Sequence, residues 1–294
     1  MDHEPTITQE TPPLPHRADD AHKGEVGRIV VIGGCDDRVM MVGAVALAAN
    51  AAYRSGAGLV QMIVPHALRS SVAVLAPCAT IRALPDQPAA LLDMLKEFRA
   101  DVLALGPGLG NSITSSTLME LLSRFEGSIV LDADGLNLLA TTEPFEIPNA
   151  HRVVVTPHVG EMHRLLGARN LDRPVEQTPA ARRGAALALV DAYHCVVVLK
   201  GHHTIVTDGK RLFRNQTGNA GMATGGMGDV LTGVIAALIG QNLGSLEASI
   251  LGVYLHGLAG DFAAEELGRR SMTAMDVIEY LPEAFCEYET AALE

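Results

Sequence analysis

The sequence predicts an α/β fold with a mainly parallel central sheet and helices on both of its faces. Short apolar segments such as RVVVTP and CVVVLK alternate with amphipathic or alanine-rich segments of helical length. The apolar segments are continuous runs, as expected of strands that are buried on both faces. Hydrophobic residues make up 48% of the 294 residues and aromatic residues only 4%, so the core is aliphatic. No linker divides the chain, which favours a single domain over residues 23–294.

Each element follows from its local pattern. Strands are predicted at 28–34, 59–64, 101–106, 128–132, 152–157, 195–200, 203–207 and 211–215. Helices are predicted at 43–56, 66–75, 89–98, 114–125, 161–166 and 180–193, and again beyond Asp229. The exception to a parallel sheet is the pair Asp208 and Gly209, which reads as a hairpin turn between the last two strands.

Composition excludes several classes of partner. The net charge of -12 and a pI near 5.3 argue against nucleic acid and acidic membranes. No apolar run reaches the roughly 18 uncharged residues of a membrane span. The four cysteines are widely spaced, which favours neither a zinc site nor a disulfide framework and indicates a reducing compartment. Residues 1–22 are polar and contain four prolines, so we expect a disordered tail on a cytoplasmic protein.

Glycine and polar residues gather where the predicted strands end. Ligands of a parallel sheet bind beyond the carboxyl ends of its strands. The segments at these ends are Gly33-Gly34, Gly106 to Gly110, Asp132 to Asp134, Thr156 to His158, and Lys200-Gly201. The carboxyl edge of the sheet is therefore the predicted ligand site.

The segment 215–239 contains the most informative pattern. Five of its glycines precede Asp229, and an apolar run of helical spacing follows. Glycines let backbone N–H groups converge on one point, and a helix N-terminus favours an anion there. Asp229 can cap this helix, or it can accept a proton from a hydroxyl that attacks a phosphate. Loop and carboxylate together indicate phosphoryl transfer.

The spacing G-G-x-G-D fits neither a Walker loop nor a dinucleotide fingerprint. It resembles the anion hole of ribokinase-like kinases, which implies a ribokinase-like fold. The longer string GNAGMATGGMGDVLTG resembles the ADP/ATP-dependent NAD(P)H-hydrate dehydratases. It departs from their usual form at Ala220, where a proline is usual, and at Met227, where the usual residue is Thr or Ser, whose hydroxyl can contact phosphate. The resemblance covers residues 23–284.

Other motifs carry the same resemblance and imply roles for individual residues. The opening HKGEVGRIVVIGG, GPGLG, DADGLN, TPHVGE and KGHHT all match it, although the pair Met41-Val42 departs from the usual wall before Gly43. The resemblance implies that Ala44, Gly108, His158 and Asp229 bind the dinucleotide and that Asp229 is the catalytic base. It further implies a nucleotide site at Lys200, Gly201, His202, His203, Thr204 and Gly228, an anion hole at Gly225, Gly226, Met227 and Gly228, and Mg²⁺ at Glu161 through water and at Asp134. From the residues alone, Asp132 and Asp134 can either organise Mg²⁺ or cap the next helix.

The resemblance implies the repair of NADHX and NADPHX, nicotinamide nucleotides to which water has added. The S form is dehydrated at the expense of ADP or ATP, with Mg²⁺ as cofactor, in a homotetramer. Because only residues 1–22 precede the first motif, we expect the epimerase of this repair in a separate protein. Two alternatives stay open: a hydroxyethylthiazole- or hydroxymethylpyrimidine-type kinase, and a non-catalytic nucleotide sensor, for which Met227 is the only indication.

Overall fold

A ten-stranded sheet forms the centre of the computed structural model, which describes residues 4–171, 173–175 and 178–291. The strands are β1 (Thr6–Thr8), β2 (Arg28–Ile32), β3 (Cys35–Asp36), β4 (Met40–Met41), β5 (Leu59–Val64), β6 (Thr80–Ala83), β7 (Val102–Leu105), β8 (Ser128–Leu131), β9 (Val153–Val155), β10 (Val196–Leu199), β11 (Ile205–Thr207) and β12 (Arg211–Arg214). The order in the sheet is β1-β12-β11-β10-β9-β8-β7-β2-β5-β6, while β3 and β4 form a separate hairpin. Within the ten-stranded sheet, among the described residues, β11 is the only strand that pairs antiparallel with its neighbours, which confirms the hairpin turn predicted at Asp208-Gly209.

Ten α-helices cover the sheet within the described residues. They are α1 (Gly43–Arg54), α2 (Arg69–Leu75), α3 (Pro88–Phe98), α4 (Ser115–Arg124), α5 (Ala133–Thr141), α6 (Val159–Ala168), α7 (Pro179–Tyr193), α8 (Met227–Gly240), α9 (Ser245–Leu267) and α10 (Ala274–Ala291). Helices α1, α2, α8, α9 and α10 pack against one face, and α3 to α7 pack against the other. None of the helices in the described segments combines the length and the apolar character that crossing a bilayer requires.

Both faces of the strands are apolar. In β10, Val196 and Val198 belong to one core cluster, whereas Val197 and Leu199 belong to the other. Successive strand side chains point to opposite faces, so a strand covered on both sides must be apolar at every position. This explains the continuous apolar runs and confirms the predicted α/β fold with helices on both faces.

The sheet changes its direction of growth between β2 and β7. From β2 the chain adds β5 and β6 on one side, and it then returns to add β7, β8, β9 and β10 on the other. Such a switch point opens a crevice at the carboxyl ends of the two strands. Gly33 and Gly106 end these strands, and a Cβ on either would clash with backbone: with the Pro107 carbonyl oxygen for Gly33, and with that of Asp132 for Gly106.

A disordered tail is predicted over residues 1–22; residues 1–3 lie outside the described residues, and residues 4–22 do not form such a tail. Thr6–Thr8 form β1, which pairs in parallel with β12. Farther on, the hydroxyl of Tyr288 in α10 donates to the Pro12 carbonyl at 2.9 Å and bonds the Thr11 hydroxyl at 2.7 Å. The edge of β12 offers unpaired backbone groups, and a polar segment can satisfy them without an apolar face of its own.

Candidate active site

Helix α8 begins in the glycine-rich loop. Its N-cap is Gly226, whose φ of 91° lies in the left-handed region, and a Cβ there would lie 2.7 Å from Leu47 Cδ1. Glycine is therefore required at this position. A Cβ on the preceding Gly225 would meet no atom within 4 Å, so the loop faces open space. An open loop at the N-terminus of a 14-residue helix is suited to an anion.

Asp229 does not cap this helix. Met227 is the first helical residue, which places Asp229 third in the first turn rather than at the N-cap. Asp229 is partly buried, and Asp132, Asp134 and Glu161 lie near enough to oppose its ionisation. Burial first, and then the charge of Asp132, raises the pKa of Asp229 from 3.8 to about 7, although Lys200 acts in the opposite direction. A carboxyl with a pKa near neutrality is suited to proton transfer at physiological pH.

Met227 contributes its backbone to the loop and its side chain to the core. The residue is 7% exposed and belongs to the core cluster between the sheet and the helices on the α1 and α8 side. Its thioether thus packs among apolar groups and does not face the open side of Gly225. At the level of sequence, Met227 is a departure that removes a phosphate-contacting hydroxyl. Because the side chain at this position is directed into the core, its identity changes the exposed surface of the glycine loop little.

Asp132 and Lys200 form a buried ion pair beside the loop. Lys200 Nζ donates to Asp132 Oδ1 at 2.5 Å, and Glu161 Oε2 lies 3.8 Å from the same ammonium. Burial raises the pKa of Asp132, but the charge and hydrogen bond of Lys200 outweigh it and the pKa is lowered. Burial acts to lower the pKa of Lys200, but the negative charges of Asp132 and Glu161 have the larger combined effect, so the pKa of Lys200 is raised. Both members of the pair are ionised, and a cation therefore stands close to the glycine loop at Gly228.

His158 and Glu161 form a reciprocal capping box at the start of α6. His158 Nδ1 accepts from the backbone N–H of Gly160 at 3.0 Å, and Glu161 Oε2 accepts from that of His158 at 2.8 Å. Because Nδ1 accepts, the ring proton lies on Nε2, 3.3 Å from Glu161 Oε1. Burial, and after it Lys200 and Arg164, lower the pKa of His158. His158 is thus a neutral, about half-exposed imidazole at the start of α6, next to Glu161.

Two residues assigned to the dinucleotide lie together at the switch point. Gly108 has a φ of 59°, and a Cβ on it would lie 3.1 Å from the Cβ of Ala44 and 2.9 Å from that of Met41. Ala44 is the second residue of α1, and Gly108 lies in the loop after β7. Because Ala44 has only a methyl group and Gly108 has no side chain, the surface that these two residues form consists mainly of backbone atoms.

Asp134 is used within the protein. Its Oδ2 accepts from the backbone N–H of Gly110 at 2.9 Å, and its Oδ1 accepts from Asn137 at 3.2 Å. The carboxylate thereby fixes the end of the GPGLG loop. Across the residues that the structure describes, no group of three or more His, Cys, Asp or Glu side chains could hold a metal ion. A metal bound through Asp134 or Glu161 would need most of its ligands from phosphates and water.

The KGHHT segment divides into two parts. Lys200 points to Asp132, whereas Gly201 and His202 are exposed and Thr204 donates to the Gly201 carbonyl at 3.0 Å. His203 lies against its neighbour, with the ring centroids of His202 and His203 3.8 Å apart. The segment therefore offers an exposed surface next to the ion pair. Gly228 joins the two regions, since a Cβ on it would lie 3.2 Å from Lys200 Nζ.

A cavity of about 460 Å³ lies at the opposite, amino edge of the sheet, lined in part by Glu25, Asp101 and Arg152. None of the predicted site residues lines it. We place the site at the carboxyl edge instead, because the raised pKa of Asp229, the ion pair and the open glycine loop converge there.

Sequence reasoning missed the hydrogen-bond partners of Asp132. Thr156 Oγ1 donates to Asp132 Oδ1 at 2.7 Å, and Thr232 Oγ1 donates to Oδ2 at 2.9 Å. Both threonines are fully buried. A signal for Thr232 existed, because it is the one hydroxyl residue in the otherwise apolar run after Asp229. Its partner lies 100 residues away in the sequence, and no local pattern identifies it.

Comparison with known proteins shows the family of the chain. The family model described as NAD(P)H-hydrate dehydratase matches residues 29–283. A bifunctional NAD(P)H-hydrate repair enzyme of Moorella thermoacetica is 42% identical over 92% of this chain and 51% of its own length, and the enzyme of the same name from Escherichia coli is 39% identical over 91% and 49%. The chain thus spans about half the length of these relatives. An ADP/ATP-dependent NAD(P)H-hydrate dehydratase from Bacillus subtilis, co-crystallised with ATP and Mg²⁺, superposes with a TM-score of 0.78 at 28% identity and covers 94% of this chain and 95% of its own. By its sequence and by its ribokinase-like fold, the chain belongs to the NAD(P)H-hydrate dehydratase family.

Proposed function

We propose that the protein dehydrates the S form of NADHX and NADPHX to the reduced nucleotides and consumes ADP or ATP, giving AMP or ADP and phosphate. The observation that carries the proposal is Asp229, a carboxyl with a pKa of about 7 in the first turn of α8, directly after an open glycine loop. Proton acceptor and anion-binding backbone are adjacent in the chain, as phosphoryl transfer from a nucleotide to a hydroxyl requires.

The reaction proceeds in two stages. Asp229 removes the proton of the ring hydroxyl as the oxygen attacks the terminal phosphate of the nucleotide, and the bond to the nucleotide's bridging oxygen breaks. Backbone N–H groups of Gly225 to Gly228 stabilise the charge on the transferring group, and Lys200 supplies a fixed positive charge beside them. The phosphorylated hydrate then loses phosphate from one ring carbon and a proton from the adjacent carbon, and the ring double bond of the reduced nicotinamide forms between them. Phosphate is a far better leaving group than hydroxide.

The binding surfaces lie on either side of Asp229. The dinucleotide lies against Ala44, Gly108 and His158, where small side chains and a neutral imidazole permit close contact. The nucleotide lies along residues 200–204 and Gly228. Mg²⁺ would be held by substrate phosphates and, through water, by Glu161 or Asp134, and it would supply neutralisation of phosphate charge.

The assay follows the near-ultraviolet absorbance of the reduced nicotinamide after protein is mixed with NADHX, Mg²⁺ and either ADP or ATP. A rise that requires nucleotide is expected, and the faster nucleotide identifies the donor. Asp229→Asn should lower the rate by on the order of a hundred- to ten-thousand-fold, and near-full activity in this variant would reject the role of Asp229.

Other outcomes identify the alternatives. A stable phosphorylated product formed only from thiazole or pyrimidine alcohols would assign the protein to the small-molecule kinases. Nucleotide binding without turnover under any condition would assign it to the sensors. The core position of the Met227 side chain removes the main reason for expecting that second result.

Assembly and setting belong to the same proposal. We infer a cytoplasmic homotetramer that works with an NAD(P)HX epimerase. Several large apolar side chains are available for contacts between copies, among them Val74, Leu75 and Leu267, which are 80%, 47% and 42% exposed. Light scattering coupled to size exclusion measures the mass, and a monomer would refute the assembly without affecting the assigned reaction.

A further inference from the structure

The carboxylate of Asp132 joins elements from across the carboxyl edge of the sheet. Asp132 follows β8 and is 1% exposed. It accepts hydrogen bonds from Lys200 at 2.5 Å, from Thr156 at 2.7 Å and from Thr232 at 2.9 Å. These partners follow β10, follow β9 and lie in α8, respectively. One buried charge thus connects the sheet to the helix that carries Asp229.

Helix capping does not account for this carboxylate. Asp132 occupies the N-cap position of α5, yet its side chain makes no capping hydrogen bond. A buried carboxylate is tolerated when it is paired with a cation and its oxygens are hydrogen-bonded. Both conditions are met here by Lys200 and the two threonines, so the side chain is directed at these groups and away from α5.

The ion pair determines where the ammonium of Lys200 stands. Nζ lies 3.2 Å from the point that a Cβ would occupy on Gly228, and Asp132 Oδ2 lies 3.4 Å from the same point. The ammonium therefore packs against the backbone directly before Asp229. A lysine has a flexible stem and many rotamers, so its ammonium keeps one place only where a partner holds it.

We propose that Asp132 is a positioning residue that fixes the ammonium of Lys200 beneath the anion hole at Gly228, anchored in turn by Thr156 and Thr232. Since Asp132 is buried below the loop, it acts through Lys200. The inference rests on the proposed function, because the transfer of a phosphoryl group is what a fixed cation at this place would assist.

A double-mutant cycle tests the role. Asp132→Asn keeps the shape of the side chain and an oxygen that can accept from Thr232, but it removes the charge that holds the lysine. Lys200→Ala removes the group that is held. We expect Asp132→Asn to lower kcat by on the order of a hundredfold alone, the effect of misplacing a group by about 1 Å, and by less than about threefold when Lys200 is already alanine. An equal loss in both backgrounds, or no loss in either, would overturn the proposal.

Controls separate positioning from a general loss of structure. Asp101→Asn changes an exposed carboxylate at the opposite edge of the sheet, where it accepts the backbone N–H of Arg28 at 2.8 Å, and its kcat should stay within about twofold of wild type. Thermal unfolding is recorded for each variant. If Asp132→Asn is unfolded at the assay temperature, the same cycle is run with Asp132→Ser and judged by the same criterion.

The wild-type protein distinguishes this inference from the proposed function. If wild type forms no reduced nicotinamide from NADHX, the proposed function fails, and the cycle is then measured on the dissociation constants of ADP and ATP by calorimetry. A coupling between positions 132 and 200 of about threefold or more would support the positioning of Lys200, and a smaller coupling would overturn it.

Discussion

Replacing Asp229 by asparagine should make the folded protein more stable at neutral and alkaline pH, while it lowers the rate of turnover by on the order of a hundred- to ten-thousand-fold. Burial and the neighbouring carboxylates raise the pKa of Asp229 from 3.8 to about 7, so the native state binds this proton more tightly than the unfolded state. Wild-type stability therefore falls as the pH rises from about 4 to about 7 and levels off above. Each tenfold change in proton affinity is worth roughly 1.4 kcal/mol. Relative to low pH, Asp229 therefore lowers the free energy of unfolding by roughly 4 kcal/mol at pH 8, and by roughly 2 kcal/mol already at pH 5.

Urea unfolding at pH 5 and pH 8 measures this penalty. The free energy of unfolding of Asp229→Asn minus that of wild type should be larger at pH 8 than at pH 5 by roughly 2 to 3 kcal/mol. Asp229→Ala removes the same charge without adding an amide, so it should show the same change with pH from a different baseline. A difference that is constant with pH in both variants would refute the reasoning, because Asp229 would then be ionised in the native protein throughout.

Three further predictions concern the same site. The kcat/KM for NADHX should fall about tenfold per pH unit below about pH 7 and be flat above it, because Asp229 must be ionised to accept a proton. A kcat/KM profile that is flat down to pH 5 would exclude Asp229 as the base. Gly108→Ala should raise the KM for NADHX about tenfold, because the new Cβ would crowd Ala44 and Met41 and the backbone φ of 59° is strained for alanine. Gly184→Ala is the matched control and should leave KM unchanged, because a Cβ on this residue of α7 would meet no atom within 4 Å. Met227→Thr should lower the free energy of unfolding by about 2 kcal/mol and leave kcat within about threefold of wild type, because the Met227 side chain packs in the core. A large gain in kcat would contradict this and show that a hydroxyl at position 227 assists the reaction.

The long, doubly buried elements of the fold are predictable from the sequence, because their patterns record their environment. The apolar runs that become β7, β8, β9 and β10 are buried at nearly every position, as continuous runs require. The edge strands are not predictable in this way. β6 reads TIRA and is partly exposed, and β1 reads TIT and is mostly exposed. Their strand character comes from backbone groups that a neighbour offers, which no local periodicity reports.

The site is predictable where a role depends on the backbone, and it is not where a role depends on a distant partner. Glycine at Gly226 follows from the left-handed φ that the loop needs, and glycine patterns record such needs directly. The pairing of Asp132 with Lys200 joins residues 68 positions apart. For Asp132 and Asp134, both alternatives derived from the residues alone are incomplete: the first holds Lys200, and the second holds the loop at Gly110.

The register of α8 determines which of two chemistries Asp229 can perform. At an N-cap, its carboxylate would accept hydrogen bonds from the backbone N–H groups of the first turn, and such bonds lower a carboxyl pKa. Because Gly226 takes the N-cap position, Asp229 stands three residues farther on, where burial and the charge of Asp132 raise its pKa to about 7. Sequence patterns locate a helix start only to within about two to four residues. Here that margin separates a capping residue from a base, and the left-handed backbone of a single glycine decides between them.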